Sequence, residues 1–384
     1  MGDPAVNSAT LELRQGHINI GCFLILCGIL SLGLWPFHRP RNDVTWVGDR
    51  DGLQFGGLGT IRSSSIFKTV GSPDGASSSL EIWFIPDLTS DSNTMLAFSK
   101  PQNPLQFSVH QNLSNLILKR EAKGGQRGTE TISINGVFRR GRPVFVTIAS
   151  GPGGSATYVD GVLASRFPQV RLADDFTGQL EIGTSPVVND TWQGILKGLA
   201  LYSRELTAST VRRHYETWVE YGQPEISNDE RVIALYLFNE HAGNIVHNAV
   251  RQGVDLDIPH RYSILYQIRF EPFWKEYRPI REHWMDLLLN VVGFVPLGFA
   301  FCAYWASARP IRWALVLTTC LGFAVSLTIE FFQSYLPTRH SGTADLFTNT
   351  LGAFVGARLY TSTVVRRSLQ PLNRIFWHWE KKSG

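Results

Sequence analysis

Residues 285–298 read MDLLLNVVGFVPLG, and they open an apolar run that continues to Ala308 with no charge after Asp286. Two further apolar runs cover residues 313–329 and 345–358. A helix needs about 20 apolar residues to cross the ~30 Å hydrocarbon layer of a bilayer. The first run is long enough by itself, and the other two are long enough if their polar ends lie near an interface. The sequence therefore predicts three membrane spans in this region.

Each of these runs carries polar and small residues at intervals of three or four positions. The three sets are Asp286, Asn290, Gly293 and Leu297, then Gly322, Ser326, Glu330 and Gln333, then Asp345, Asn349, Gly352 and Gly356. Such spacing places each set on one helix face. Polar residues in membrane helices usually face protein, and small residues let helices approach closely. We therefore expect the three faces to pack together, with Gly293, Gly352 and Gly356 at the contacts.

The positions of basic residues predict the orientation in the membrane. Arg309 and Arg312 separate the first two runs, and further Lys and Arg residues follow Arg358. Because positively charged loops stay in the cytoplasm, the polar ends of all three spans are expected on the external side. The candidate site there combines polar residues of the three spans and the loop before the last one: Asp286, Asn290, Glu330, Gln333, Arg339, Asp345 and Asn349.

The strings at residues 286–298, 326–339 and 345–356 together resemble the pattern of the VanZ-like membrane family. The resemblance covers residues 284–360. The family is named for a protein that confers low-level resistance to teicoplanin, a glycopeptide that acts on the cell envelope. The resemblance implies a role in the envelope or in glycopeptide-antibiotic resistance, and it implies no particular reaction.

A fourth uncharged run, residues 18–37, is also about 20 residues long and suits a membrane span. The alternative is a cleaved signal peptide, but the residues before the run are weakly basic and no small-x-small cleavage site precedes Trp35. We predict a retained span after a cytoplasmic tail at residues 1–17. Four membrane helices, at 18–37 and within 284–365, then return a basic tail at 366–384 to the cytoplasm.

The composition argues against two classes of site. The formal net charge of the 384 residues is only +4, and much of the basic excess lies after Arg358, where a membrane-surface anchor explains it. We expect no nucleic-acid partner. All four cysteines lie in apolar runs without metal-ligand spacing, so we expect no disulfides in the middle of the chain and no metal bound by cysteine.

Between the first and second spans the pattern changes to short strands. Residues 80–86, 105–109, 144–148 and 180–182 are rich in β-branched and aromatic side chains. Asn135-Gly136 and Asp160-Gly161 are typical of tight hairpins. Many short strands separated by turns predict an all-β, two-sheet jelly-roll sandwich over about 43–258.

This segment resembles the laminin-G-like, concanavalin A-like jelly-roll domains. The residues that carry the resemblance are LQFGG at 53–57, ATYVDG at 156–161 and WQGILKGLALYSRELT at 192–207. The string LYLFNEHAGNIV at 235–246 looks like the first strand of such domains, although it comes last here. We infer a permuted arrangement in which residues 232–258 return to complete the sheets.

The second resemblance implies glycan binding, sometimes with calcium, or an adhesive or structural role. The aspartates available for calcium are scattered, so we predict no cofactor and keep calcium as an alternative: Asp87, Asp91, Asp160, Asp174, Asp175 and Asp190. Glycosidases of this architecture use two carboxylates held about 5–10 Å apart. Glu81 stands alone on its strand, which argues against that activity.

Residues 259–283 mix basic and aromatic side chains next to the predicted second span. The pattern is typical of an interfacial belt that seats the domain on the bilayer. The alternative is a collar for an anionic envelope lipid or glycan.

Three interpretations of the candidate membrane site remain open. As structure, its ion pairs and amides set helix register. As a binding site, it holds the polar head of an envelope lipid or a glycopeptide. As an enzyme acting on a lipid-linked substrate, a carboxylate of raised pKa serves as general acid or base while Arg339 holds a phosphate or carboxylate. His340, the one imidazole nearby, is weak support for the last interpretation.

The sequence as a whole predicts a multi-pass protein of the bacterial inner membrane. We expect a periplasmic or extracellular jelly roll and both termini in the cytoplasm. The expected partners are membrane lipid and an envelope glycan or lipid-linked saccharide.

Overall fold

The computed structural model describes residues 4–68, 77–121, 128–172, 175–273, 281–339 and 341–362. The chain divides into two compact units. One unit is Arg39–Gln267, and the other combines Met1–His38 with Ile268–Gly384. The first is therefore inserted in the sequence between two parts of the second. The predicted tail at 366–384, residues 274–280 of the predicted belt and His340 lie outside the described residues.

The described part of the chain contains sixteen strands and five α-helices. The strands are β1 (Val44–Trp46), β2 (Leu53–Phe55), β3 (Ile61–Ser63), β4 (Ser78–Pro86), β5 (Ser92–Lys100), β6 (Asn103–Asn112), β7 (Asn115–Glu121), β8 (Thr129–Ile134), β9 (Val144–Gly151), β10 (Gly154–Val159), β11 (Val162–Phe167), β12 (Gln179–Ile182), β13 (Gly194–Tyr202), β14 (Val232–Tyr236), β15 (Ile245–Val246) and β16 (Leu256–Asp257). The helices are α1 (Pro4–Leu34), α2 (Ala208–Tyr221), α3 (Arg281–Ala306), α4 (Ile311–Gln333) and α5 (Thr343–Thr361).

Two antiparallel sheets form a jelly-roll-like sandwich in the unit Arg39–Gln267, as the sequence predicted. The first sheet has the order β1-β2-β13-β4-β9-β10-β11, with β14 also paired to β13. The second has the order β15-β16-β3-β12-β5-β6-β7-β8. The last three strands of the chain thus complete both sheets, in agreement with the predicted permutation.

The core lies between the sheets and is built from alternating residues of each strand. Inward-facing examples are Leu80, Ile82 and Phe84 of β4 and Val144, Val146 and Ile148 of β9, all of which are buried. Side chains alternate across a strand, so each strand gives one face to the core and the other to the outside. Burying one such side chain stabilises the fold by about 1.5–3 kcal/mol.

Helix α2 packs on the outer face of the first sheet. Trp218 of α2 is fully buried, with its ring 6.0 Å from that of Trp83 and 5.8 Å from that of Phe145. Gly198 of β13 lies directly beneath Trp218, where a Cβ atom would be 1.5 Å from Cζ3 of the indole. The WQGILKGLALY string therefore needs glycine at this position to seat the helix.

The other unit consists of α1, α3, α4 and α5. Among the residues that the structure describes, three helical segments are long and apolar enough to cross a membrane: His17–Leu34, Trp284–Ala306 and Ile311–Gln333. The prediction of four membrane helices is therefore supported for three only. The fourth segment does form α5, but its nineteen residues include Asp345, Asn349 and Arg358, which lower its mean hydropathy. Helix α1 begins at Pro4, so it includes most of the residues predicted as a polar tail.

Candidate functional site

The predicted polar residues of the helical unit form pairs between helices. Asn290 Nδ2 of α3 donates to Asp345 Oδ1 of α5 over 2.7 Å. Asn349 Nδ2 of α5 donates to Ser326 Oγ of α4 over 3.1 Å. Hydrogen bonds between buried amides, hydroxyls and carboxylates fix helices in one register. The two pairs join α5 to both of its neighbours.

The carboxylate of Glu330 lies at the start of α5 and is almost completely buried. Its Oε2 atom accepts a hydrogen bond from the backbone N–H of Gly342 over 3.0 Å. Ser341 Oγ donates to the backbone carbonyl of the same glutamate over 3.0 Å. Gly342 is the residue that precedes α5, where backbone N–H groups lack helical partners and negative charge is favoured. Glu330 therefore joins the end of α4 to the beginning of α5.

Gln333 and Arg339 contact the end of α1. Gln333 Nε2 donates to the carbonyl of Gly33 over 2.6 Å. Arg339 donates to the carbonyl of Trp35 through Nη2 at 2.6 Å and Nε at 3.1 Å. The last carbonyls of a helix have no partner within it, so these side chains supply the missing donors. Ile25, Leu26 and other residues of α1 also pack against the apolar core of this unit.

Two predicted residues differ from the expected arrangement. Asp286 is exposed. Gly293 has no atom within 4 Å of the position of a Cβ, whereas a Cβ at Gly298 would lie 2.0 Å from the carbonyl oxygen of Ala353. Glycine contacts in α3 are therefore made by Gly298. The buried face of this helix follows steps of four from Asn290, and Gly293 falls outside it.

Gly352 and Gly356 of α5 lie against the backbone of α3. A Cβ at Gly352 would lie 2.2 Å from the carbonyl oxygen of Val291, and one at Gly356 would lie 2.1 Å from that of Val295. Helices α3 and α5 thus meet backbone to backbone. The described contacts of the seven candidate residues are two interhelical pairs, one contact to the start of α5, two contacts to α1 and one exposed carboxylate.

In the sandwich, a segment that sequence reasoning assigned to the membrane interface lies on the outer face of the second sheet. Tyr262 is fully buried, and its hydroxyl bonds Thr184 Oγ1 at 2.8 Å and Asn189 Oδ1 at 2.9 Å. The guanidinium of Arg62 bonds the carbonyl of Ser263. Residues 259–267 of the predicted belt therefore belong to this unit.

Glu181 lies on the same face, close to Arg62. Its Oε1 atom accepts from Arg62 Nε at 2.9 Å. Burial raises the pKa of Glu181 to about 7, although Arg62 opposes that shift. Among the described residues, Oε2 of this carboxyl has no hydrogen-bond partner. Glu181 is completely buried, so it is not accessible to a substrate, and its unpaired oxygen makes its burial costly.

Glu81 does not stand alone, contrary to the expectation from sequence. It is fully buried, and Oε2 accepts from Tyr202 Oη at 2.8 Å and contacts His214 Nδ1 at 3.0 Å. The other imidazole nitrogen, Nε2, contacts Glu230 Oε2 at 2.9 Å. Because the whole cluster is buried under α2, its two carboxylates serve the packing of the helix rather than a glycosidic bond.

Comparisons with known proteins bear out both resemblances. Residues 216–366 match the family model VanZ/LLP1, and residues 61–212 match that of the concanavalin A-like lectin/glucanases superfamily. The first match begins within α2, well before the 284–360 region from which the resemblance was inferred. No curated protein sequence matches the chain.

Three solved structures are similar to part of the chain. A SAP-like pentraxin from Limulus polyphemus is 14% identical with a TM-score of 0.35, over 57% of this chain and 96% of the pentraxin. The CBM40 of a Ruminococcus gnavus IT-sialidase, solved with α2,3-sialyllactose, is 10% identical with a TM-score of 0.33, over 42% of this chain and 95% of that module. A structure of botulinum neurotoxin type C, a toxin whose cell entry depends on interaction with two ganglioside molecules, is 12% identical with a TM-score of 0.31, over 46% of this chain and 45% of the toxin chain.

Proposed function

We propose that this protein, in which a VanZ/LLP1 region and a concanavalin A-like domain share one chain, is a membrane-anchored glycan-binding protein of the cell envelope. The observation that carries the proposal is the insertion of a complete two-sheet sandwich, Arg39–Gln267, between membrane-type helices at both of its ends. Helices that precede and follow the sandwich in the sequence tether it to the membrane. Its ligand would then be an envelope or surface polysaccharide.

The helical unit acts in this proposal as a rigid membrane anchor. Six of the seven candidate polar residues take part in hydrogen bonds within that unit, and most of these bonds join one helix to another or to the start of α5. The geometry therefore favours a structural role over turnover of a lipid-linked substrate. If the protein has a role in glycopeptide resistance, that role belongs to the glycan-binding domain, because the helical unit serves only as the anchor.

The orientation in the proposal rests on charge. The loop between α3 and α4 contains Arg309 and Arg312, and basic residues also follow α5. By the positive-inside rule these regions are cytoplasmic, so the sandwich is periplasmic or extracellular and both termini are cytoplasmic.

We propose that glycan binding does not need calcium. In the part of the chain that the structure describes, no three His, Cys, Asp or Glu side chains lie together in a way that suits a metal ion. Calcium takes six to eight oxygen ligands, usually including several carboxylates.

A glycan array tests the proposal. The full chain in lipid nanodiscs, with a fluorescent label at its carboxyl terminus, is applied to neutral and acidic oligosaccharides with and without EDTA. We expect binding to a restricted group of glycans at equal strength in both conditions. Empty nanodiscs are the control. Absence of binding to every glycan would contradict the proposed function, and loss of binding in EDTA would contradict calcium independence.

A further inference from the structure

The outer face of the second sheet carries a row of polar side chains next to the segment 259–267. Ser108 and His110 of β6 point to this face from alternate positions, and Lys119 of β7 is paired in register with Ser108. Thr94 of β5 is paired with His110. Asp190, from the loop after β12, completes the group, which we call the polar shelf.

Hydrogen bonds connect four members of the polar shelf in a chain. Thr94 Oγ1 donates to Asp190 Oδ2 over 2.6 Å, and it therefore accepts from His110 Nδ1, 3.2 Å away. His110 Nε2 then accepts from Ser108 Oγ at 2.8 Å. The tautomer follows from this assignment of donors. Each side chain is consequently held in a single orientation.

The imidazole of the shelf is uncharged at neutral pH. Burial, with a further contribution from the charge of Lys119, lowers the pKa of His110 to about 3. Hydrogen bonds connect the hydroxyl of Ser108, the imidazole of His110 and, through Thr94, the carboxylate of Asp190. An imidazole with so low a pKa is nevertheless too weak a base to activate Ser108 as a nucleophile. The arrangement is instead suited to binding.

The accessible atoms of the shelf match a sugar. The side chain of Asp190 is 24% exposed, and Ser108 and Lys119 are half-buried. They offer a carboxylate acceptor, a hydroxyl and an ammonium donor on one surface. Sugar hydroxyls both donate and accept hydrogen bonds, so they can bond all three groups. One cation, one carboxylate and a neutral imidazole leave the shelf with no formal net charge, so an acidic sugar gains nothing over a neutral one.

We propose that the polar shelf is a binding site for a neutral, hydroxyl-rich glycan unit. This inference rests on the proposed glycan-binding function and gives that function a location. The carboxylate of Asp190 accepts hydrogen bonds from sugar hydroxyls, and Lys119 and Ser108 bond the adjacent oxygens. Thr94 and His110 act as positioning residues, because they orient Asp190 and Ser108 without reaching the ligand.

The test uses the full chain in nanodiscs and an array of neutral and acidic oligosaccharides. We expect the wild type to bind neutral glycans and Asp190→Asn and Ser108→Ala to bind them at least tenfold more weakly. Asp229→Asn makes the same chemical change in an exposed ion pair with Arg204, outside the shelf, and should bind like the wild type. Lys119→Met should also weaken binding. Because it leaves the hydrogen bonds of the shelf intact, it tests the proposed site even if Asp190→Asn fails to fold.

The outcomes separate the two proposals. If the wild type binds glycan but the shelf variants, verified as folded by thermal unfolding, bind with unchanged affinity, the shelf is only polar packing and the proposed function stands. A preference of the wild type for acidic glycans would contradict the neutral ligand class. If the wild type binds no glycan, the proposed function fails together with this site.

Discussion

At the scale of single residues, His214 is placed to make the stability of the sandwich depend on pH. Burial alone lowers the pKa of His214, but hydrogen bonds and charge from Glu81 and then Glu230 outweigh it and raise the pKa above its ordinary value. The imidazole bonds carboxylates on both sides and is completely buried. Protonation therefore stabilises the folded state.

The sign of the pH dependence follows from this raised pKa. The contribution is complete below the ordinary histidine pKa of about 6.5 and disappears as the pH rises through the folded-state value. We expect the melting temperature of the full chain to fall as the pH rises above about 6.5. His214→Gln should make this slope shallower, leaving the part that Glu181 contributes below about pH 7. It should also lower the free energy of unfolding by about 3–5 kcal/mol, since it leaves buried carboxylates without their partner.

The matched control for this residue is His247→Gln. His247 forms an exposed pair with Asp255, with 66% of its side chain accessible, so its loss should change stability very little. Thermal unfolding followed by circular dichroism at several pH values measures both variants. An unchanged slope in His214→Gln would show that the buried histidine does not control the pH dependence.

At the scale of elements, the contact between α3 and α5 depends on which glycines meet a neighbouring backbone. A Cβ at Gly352 would lie 2.2 Å from the carbonyl oxygen of Val291, while Gly293 has open space at that position. We expect Gly352→Leu to separate the helices and lower the melting temperature of the detergent-solubilised protein by several degrees. Gly293→Leu should be tolerated.

A thermal-shift measurement in detergent compares the two leucine variants directly. Both changes replace a glycine inside a helix of the same unit with the same apolar residue, so the gain in helix propensity is matched. Equal destabilisation by the two substitutions would contradict the helix contact described above.

The glycine result also shows what sequence spacing can and cannot predict for an element. Residues three or four positions apart both lie near one helix face. Gly293, one step of three from Asn290, and Gly298, two steps of four from it, are therefore both compatible with a contact to α5. Only the position of α5 selects Gly298. Similarly, α5 was predicted as a helix, but its Asp345, Asn349 and Arg358 make it more polar than the other three segments.

At the scale of the whole molecule, the two-part architecture was predictable because its signals are local. Apolar length marked the membrane helices, and alternating strands with turn residues marked the sandwich. The contacts that hold each unit together were not predictable in the same way. Gln333 bonds Gly33 across 300 positions, and Thr94 bonds Asp190 across 96. For the polar shelf, the one local signal was the alternation of Ser108 and His110 on β6.

In our proposal, the helical unit anchors the protein in a membrane and the glycan-binding sandwich lies on the outer side of that membrane. Right-side-out and inside-out vesicles that contain the full chain test it most directly, with a fluorescent neutral oligosaccharide selected on the array as the probe. We predict saturable binding to right-side-out vesicles and none to inside-out vesicles, with vesicles lacking the protein as the control. Binding confined to inside-out vesicles, or absent from both, would contradict the account.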